Sequence, residues 1–187
     1  MSLTKVYSYF RTYDKASFEV FACQGHEPSD KDVRTFEGEV GFSLPDEFRE
    51  FTKSSLGGLY MAVRESLWPR PQEYAVGPFW SFLYGLMVYG MAEDIPDFLD
   101  VRIQYREFLT FRESESDTTP LVPFLKVIGD PDIYCFDRTG QIVRWQHEEP
   151  DELKPVELTF SQLLMREIQE LEDRKERKIQ EAPRPGA

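Results

Sequence analysis

Histidine and cysteine are nearly missing from this sequence: His26, His147, Cys23 and Cys135 are all it has in 187 residues. No second ligand stands at metal spacing from either histidine, so the pattern offers neither a structural nor a catalytic zinc site. Two distant thiols do not make a disulfide framework and read as small buried hydrophobes in a reducing compartment. The leading MSLTKVYSYFRTYDK lacks the apolar core of a secretory signal, and the expectation is a cytoplasmic protein. Long apolar runs are also scarce. The richest, PFWSFLYGLMVYGMA over 78–92, falls short of the ~20 residues a membrane span needs. Gly85 and Gly90 interrupt it, so it reads as a buried strand with its connection. The Gly57-Gly58 pair has no following Lys and Ser or Thr at phosphate-loop offsets, and Ser54-Ser55 stands in no G-x-S-x-G elbow.

Basic charge is in deficit as well: 22 Lys and Arg against 34 Asp and Glu give −12. Such a balance opposes phosphate backbones and anionic lipid, so neither nucleic acid nor membrane is an expected partner. It favours basic partners, although acidity also serves solubility by itself. What the chain has in quantity is apolar and aromatic carbon, 41% and 14% of its residues. A single domain of this size buries roughly 70% of its unfolded surface.

Residues 1–24 form an aromatic-rich extension, with partial alternation at Tyr7, Tyr9, Phe18 and Val20, that could add a strand or lie across the domain. From residue 25 the punctuation becomes specific. Ser29 suits an N-cap, Asp32 the first turn, and Val33, Phe36 and Val40 one helix face closed by Gly41. Pro45 suits the first position of a second short helix, with Leu44, Phe48 and Phe51 as its apolar stripe. Gly57 and Gly58 end it. Two cornered amphipathic helices need a flat surface to cover, which predicts a sheet. LYMAVRESLW and FLYGLMVY read as strands. EDIPDFLDVRIQYREFL reads as a helix capped at Asp94, with Ile95, Phe98, Leu99 and Ile103 on one face. RESESDTTP, 112–120, reads as a loop. VPFLKVIGD predicts a strand beside the hairpin IYCFDRTGQIVRWQH, which turns at Asp137–Gly140. Thr159 and Gln162 have capping-box spacing for a last helix that packs Phe160, Leu163, Leu164, Ile168 and Leu171 inward. Beyond Glu172 the apolar face fades, and 173–187 reads as a charged, proline-containing mobile tail.

Few residues suggest chemistry. Asp130, Asp132 and Asp137 lack the Gly and terminal Glu of a calcium loop and suit turn capping. His147, Glu148 and Glu149 stand adjacent on a strand end, where neighbours point to opposite faces. Trp68, Trp80 and Trp145 are either partner anchors or core. RKERK at 174–178 reads as a solvated helix end.

Four places together resemble the SUKH superfamily, the Smi/Knr-type domains of bacteria and fungi. They are E-x-x-x-G-x-x-L-P from Glu37 to Pro45, the F-x-x-F and Gly-Gly after it, PFLKVIGDPDIYCFD, and the closing TFSQLLMREI. They span 25–172. Leu56 stands where the family commonly has Asn before the Gly pair, an apolar side chain able to pack at the helix end. The resemblance implies an α+β single domain: a mainly antiparallel twisted sheet with helices largely on one side. It implies no enzyme and no cofactor, but a protein-binding module. Many bacterial members look like immunity proteins that neutralise a cognate toxin, often a nuclease. Fungal relatives look like scaffolds in cell-wall signalling, which is the alternative; an enzyme with an unrecognised carboxylate site is the third reading. On the first, Asp130, Asp132, Asp137, Glu148 and Glu149, with Trp145, would meet a basic toxin domain. Charge and predicted turn positions suggest that set; the family motif does not. The toxin's identity, the binding face and the oligomeric state stay open.

Overall fold

Among the described residues, seven strands, hydrogen-bonded to one another in the order they occur along the chain, form one antiparallel meander. They are β1 (Phe18–Ala22), β2 (Leu59–Val63), β3 (Gly85–Val88), β4 (Leu121–Val127), β5 (Ile133–Asp137), β6 (Ile142–Trp145) and β7 (Lys154–Val156). The structure is a computed structural model that describes residues 2–22, 25–71, 79–113, 120–150 and 152–181. Side chains alternate between faces along a strand, and the register collects the apolar ones. Phe18, Val20 and Ala22 stand opposite Val63, Met61 and Leu59, and the last two stand opposite Leu86 and Val88. On β4 the register shifts between Pro123 and Leu125. A proline cannot donate to the ladder, and a bulge accommodates it. There Phe124 stacks on Phe136 with ring centroids 3.9 Å apart.

Among the described residues, five α-helices complete the α+β domain: α1 (Leu3–Thr12), α2 (Asp30–Val40), α3 (Asp46–Thr52), α4 (Val101–Glu113) and α5 (Phe160–Glu181). The cornered pair forms as its punctuation predicts. Ser29 and Asp32 make a reciprocal capping box, and Gly41 closes α2 at φ 83°. The second helix begins at Asp46, one residue later than expected, with Pro45 as the cap of α3 rather than its first residue. Phe48 and Phe51 are buried from α3 against Phe160 of α5, with centroids 5.4 and 5.0 Å away. Leu56 is buried at the helix exit. The hairpin turns at Gly140 with φ 78°.

Four expectations need correction. Residues 2–22 do add a strand, but Tyr7 and Tyr9 belong to α1, which buries Leu3 and Val6; Tyr9 donates to Glu172 Oε1 at 2.8 Å. The helix read from Asp94 begins at Val101. Asp97–Leu99 make only a single 3-10 turn, and Gly90 then pairs with Asp100 as a β-bridge, with Gly90 N bonded to Leu99 O and Val101 N to Gly90 O, which delays the α-helix to that point. Asp100 is the cap, accepting Arg102 N at 2.8 Å, and Phe98 faces solvent. α4 also continues through the start of the expected loop and buries Arg112; 114–119 lie outside the described residues. Finally, α5 does not fade at Glu172. Lys175 is buried with Nζ 5.1 Å from the Phe18 ring centroid, since a lysine stem packs as apolar carbon and its ammonium is attracted to a ring face. Of the expected tail, 182–187 lie outside the described residues, as do Cys23 and the Trp80 side chain. Cys135 is buried, and burial pushes its thiol well above the usual range.

The main core lies between α1, α2, α3, α5 and one face of the sheet. α4 reaches both faces. Tyr105 meets Phe36 of α2 edge-on, while Phe108 packs on Cys135, Val143 and Trp145, which alternate to the second face.

Candidate binding groove at the β7 edge

A broad concavity lies at the far edge of the sheet. The β5–β6 turn, β7, the start of α3 and the start of α5 enclose a groove of about 710 Å³. Its floor is apolar, from Phe136, Ile142, Val156 and Phe160, and its rim bears Asp46, Glu47 and Glu157. Pro155 stands on β7, a residue that limits pairing of an open edge with other chains.

Local chemistry fixes the walls. Thr159 N donates to Gln162 Oε1 at 2.9 Å and Gln162 N to Thr159 Oγ1 at 3.4 Å, the capping box its sequence predicts. Glu47 adds a second cap from α3: its carboxylate accepts Ser161 N at 2.9 Å and Ser161 Oγ at 3.1 Å. A carboxylate is favoured at the positive end of a helix. Glu37 likewise ties the corner, accepting Leu44 N at 2.8 Å. Asp46 and Glu157 are exposed. The groove wall carries carboxylates, amides, a threonine and ring carbon; among the described residues it holds no histidine, cysteine or lysine. Nor, among the described residues, do three His, Cys, Asp or Glu converge to hold a metal ion.

The six residues proposed from sequence do not form one surface. Asp130 and Asp132 are both held by Arg144, at 2.9 and 3.0 Å. Asp132 N donates to Asp130 Oδ1 and His147 N to Asp132 Oδ1. Burial pushes the Asp130 carboxyl above its usual range, against the pull of the Asp132 amide and Arg144. Beside this pair, Tyr134 donates to Glu167 Oε1 at 2.9 Å. Burial, then the charge of Glu167, pushes the Tyr134 hydroxyl up to about 12. These acids knit the β4–β5 turn to β6 and α5. Asp137 Oδ1 accepts Thr139 N, Thr139 Oγ1 and Gln141 N within 3.0 Å, so it shapes the turn at the groove's end. Glu148 is open to solvent, and Glu149 is exposed beside Lys154.

Trp145 is the clear correction. It is 2% exposed, flanked edge-on by Phe108 and Phe111 at 5.2 and 5.8 Å, and is core rather than anchor. Counting back from the hairpin shows the strand parity, but only the tertiary path of α4 shows that this face is covered. The groove's exposed acids, Asp46 and Glu157, lie outside the set expected from sequence. Asp46 follows the Leu-Pro corner directly, and Glu157 ends an acid-rich run from Glu148, so both signals were present but unlocated.

No helix among the described residues is long and apolar enough to cross a membrane. No curated protein shows a match to the chain. The SMI1 / KNR4 family (SUKH-1) pattern matches residues 27–166, from the approach to α2 to the first turns of α5. That span holds both cornered helices, every strand but β1, and the whole groove. The chain therefore belongs to the SMI1 / KNR4 family (SUKH-1).

Proposed function

We propose that the chain is a non-enzymatic immunity protein that neutralises a cognate bacterial toxin by binding it, with the β7-edge groove as the contact surface. The observation that carries this reading is an apolar groove with a carboxylate rim, inside the family span, on a chain of net charge −12. The family supports an immunity role at its own level. An apolar floor supplies the desolvated centre a protein interface needs, and a charged rim steers an oppositely charged partner. A basic nuclease domain fits this chemistry, because its phosphate-binding surface is what a carboxylate rim would cover. The encounter takes place in the cytoplasm.

The test begins with the product of the neighbouring reading frame. Co-expression should relieve its toxicity, and the two should co-purify. The association rate should fall as salt rises, since exposed charges are screened beyond ~8–10 Å at physiological ionic strength. The Asp46→Lys, Glu157→Lys double variant should fold normally by circular dichroism and bind at least tenfold more weakly. A harmless, unbound neighbour would remove the immunity reading. Tight binding untouched by the double variant would move the interface elsewhere.

A further inference from the structure

The last turns of α5 carry an arrangement that the toxin reading does not use. Arg174 donates from Nε to Leu83 O at 3.1 Å, while its Nη2 is buried and has no hydrogen-bond partner. A guanidinium is a fixed charge with five donors, and a buried donor is nearly always satisfied. Desolvation lowers its pKa against the opposing pull of Glu167 and Glu170. Glu170 stands at ion-pair spacing on the same helix, yet Arg174 forms no ion pair among the described residues, and neither does Arg177 or Lys178. Arg177 and Lys178 follow Arg174 at three and four residues, which places all three on one side of the helix.

They line a cleft of about 320 Å³ with Trp68 and Glu181. Trp68 is buried and fixed, its Nε1 donating to Ser81 O at 2.9 Å, and Lys178 Nζ lies 5.8 Å from its ring centroid. Three cations against one carboxylate is an inversion of the charge of the whole molecule. We propose that this cleft binds a small phosphate ester. Its phosphoryl oxygens would take the Arg177 and Lys178 donors, with the Arg174 guanidinium behind them turning its unpartnered, buried Nη2 into reach, and its body would lie towards Trp68. A planar guanidinium matches phosphate oxygens in pairs, and an ammonium adds a point charge. The cleft sits at the lower end of the ~300–1,000 Å³ range of ligand pockets, more room than a bare phosphate fills. About 14 helix positions, roughly 21 Å at 1.5 Å each, separate it from the groove at Phe160.

Isothermal titration calorimetry of the full chain tests this with adenosine monophosphate, glucose 6-phosphate, inorganic phosphate and adenosine. At least one ester should bind one-to-one, tenfold or more tighter than inorganic phosphate, and adenosine should give no heat. Arg177→Gln, on an exposed position, should weaken the ester at least tenfold, and Arg174→Gln likewise where a thermal melt shows it folded. Arg138→Gln, on the β5–β6 turn, should change nothing. Absence of binding by both esters overturns the proposal, as does equal affinity for adenosine. An Arg177→Gln protein that binds like the parent also overturns it. Equal affinity for inorganic phosphate would overturn the ester and leave the free ion as occupant.

Discussion

Replacing Gly90 with alanine tests the packing that the Gly-Gly exit from α3 exists to permit. A Cβ on Gly90 would lie 2.2 Å from Gly58 N, 2.4 Å from Gly57 C and 2.8 Å from Gly58 Cα. Ordinary contact begins near 3.4 Å, so two backbone segments would have to part by about 1 Å. Neither is free to do so. A Cβ on Gly57 would already meet Thr52 O at 2.3 Å, and Gly90 is bonded through Leu99 and Val101 to the start of α4. Overpacking typically costs ~1–3 kcal/mol, and with backbone on both sides the upper end applies. Gly38, in the last turn of α2, is the matched control, since nothing lies within 4 Å of its added Cβ. Alanine there should stabilise by ~0.5–1 kcal/mol through helix propensity. With a urea slope of about 2 kcal/mol/M, the Gly90→Ala midpoint should fall by about 1.5 M and the Gly38→Ala midpoint rise by about 0.3–0.5 M. A Gly90→Ala protein whose midpoint stays within about 0.3 M of the parent would refute the claim that this approach is tight and rigid.

Trp145→Ala should cost ~3–5 kcal/mol in thermal or urea unfolding, as for other buried aromatics. Trp145→Phe should cost under ~1.5 kcal/mol, because the indole Nε1 has no hydrogen-bond partner to lose. Thr159→Ala removes one half of the α5 capping box and should cost ~1 kcal/mol, read as a midpoint shift at constant slope. The Ser29–Asp32 box gives a pH signature. Hydrogen bonds from the Ser29 side chain, then its backbone, hold the Asp32 carboxyl below its usual range. The unfolded chain therefore takes up that proton first as pH falls, and the stabilisation present above about pH 4 is lost below it. Ser29→Ala should accordingly destabilise more at pH 7 than at pH 3, and an equal deficit at both values would contradict the linkage.

Much of this fold was legible because its punctuation is local. Ser29, Gly41, Gly140 and Thr159 act through backbone groups within a few residues of themselves, so spacing alone places them. The hairpin and the β4 strand beside it were readable for the same reason. The start of α4 was not. It is set by pairing between Gly90 and Asp100, a contact that the helical spacing of Ile95, Phe98 and Leu99 conceals. The end of α5 was misread because Lys175 counts as polar in any periodicity and yet packs its stem on Phe18. For the site, composition located acidity but not its availability. Arg144 lies within ten residues of Gly140 and looks like ordinary strand decoration, yet it occupies two of the five carboxylates that charge alone had proposed.

Engagement by the fold separates the two acids Asp46 and Glu47, which stand at neighbouring positions in this groove. Glu47 reaches across to Ser161 and satisfies two donors at the start of α5, so its charge is already engaged. Asp46 points the other way on the first turn of α3, with Arg49 3.7 Å away and solvent around it. Helical geometry turns successive residues by about 100°, so a corner that aims Glu47 at α5 leaves Asp46 facing outward. The Leu-Pro corner thus does more than fold the chain. By fixing where α3 begins, it sets one carboxylate to hold the terminal helix and leaves its neighbour at the groove mouth. The same helix carries its basic cleft at the other end, beyond the family span. A partner drawn to the acidic rim would therefore meet carboxylates near Phe160, while the cleft of Arg174, Arg177 and Lys178 lies some four turns away along α5.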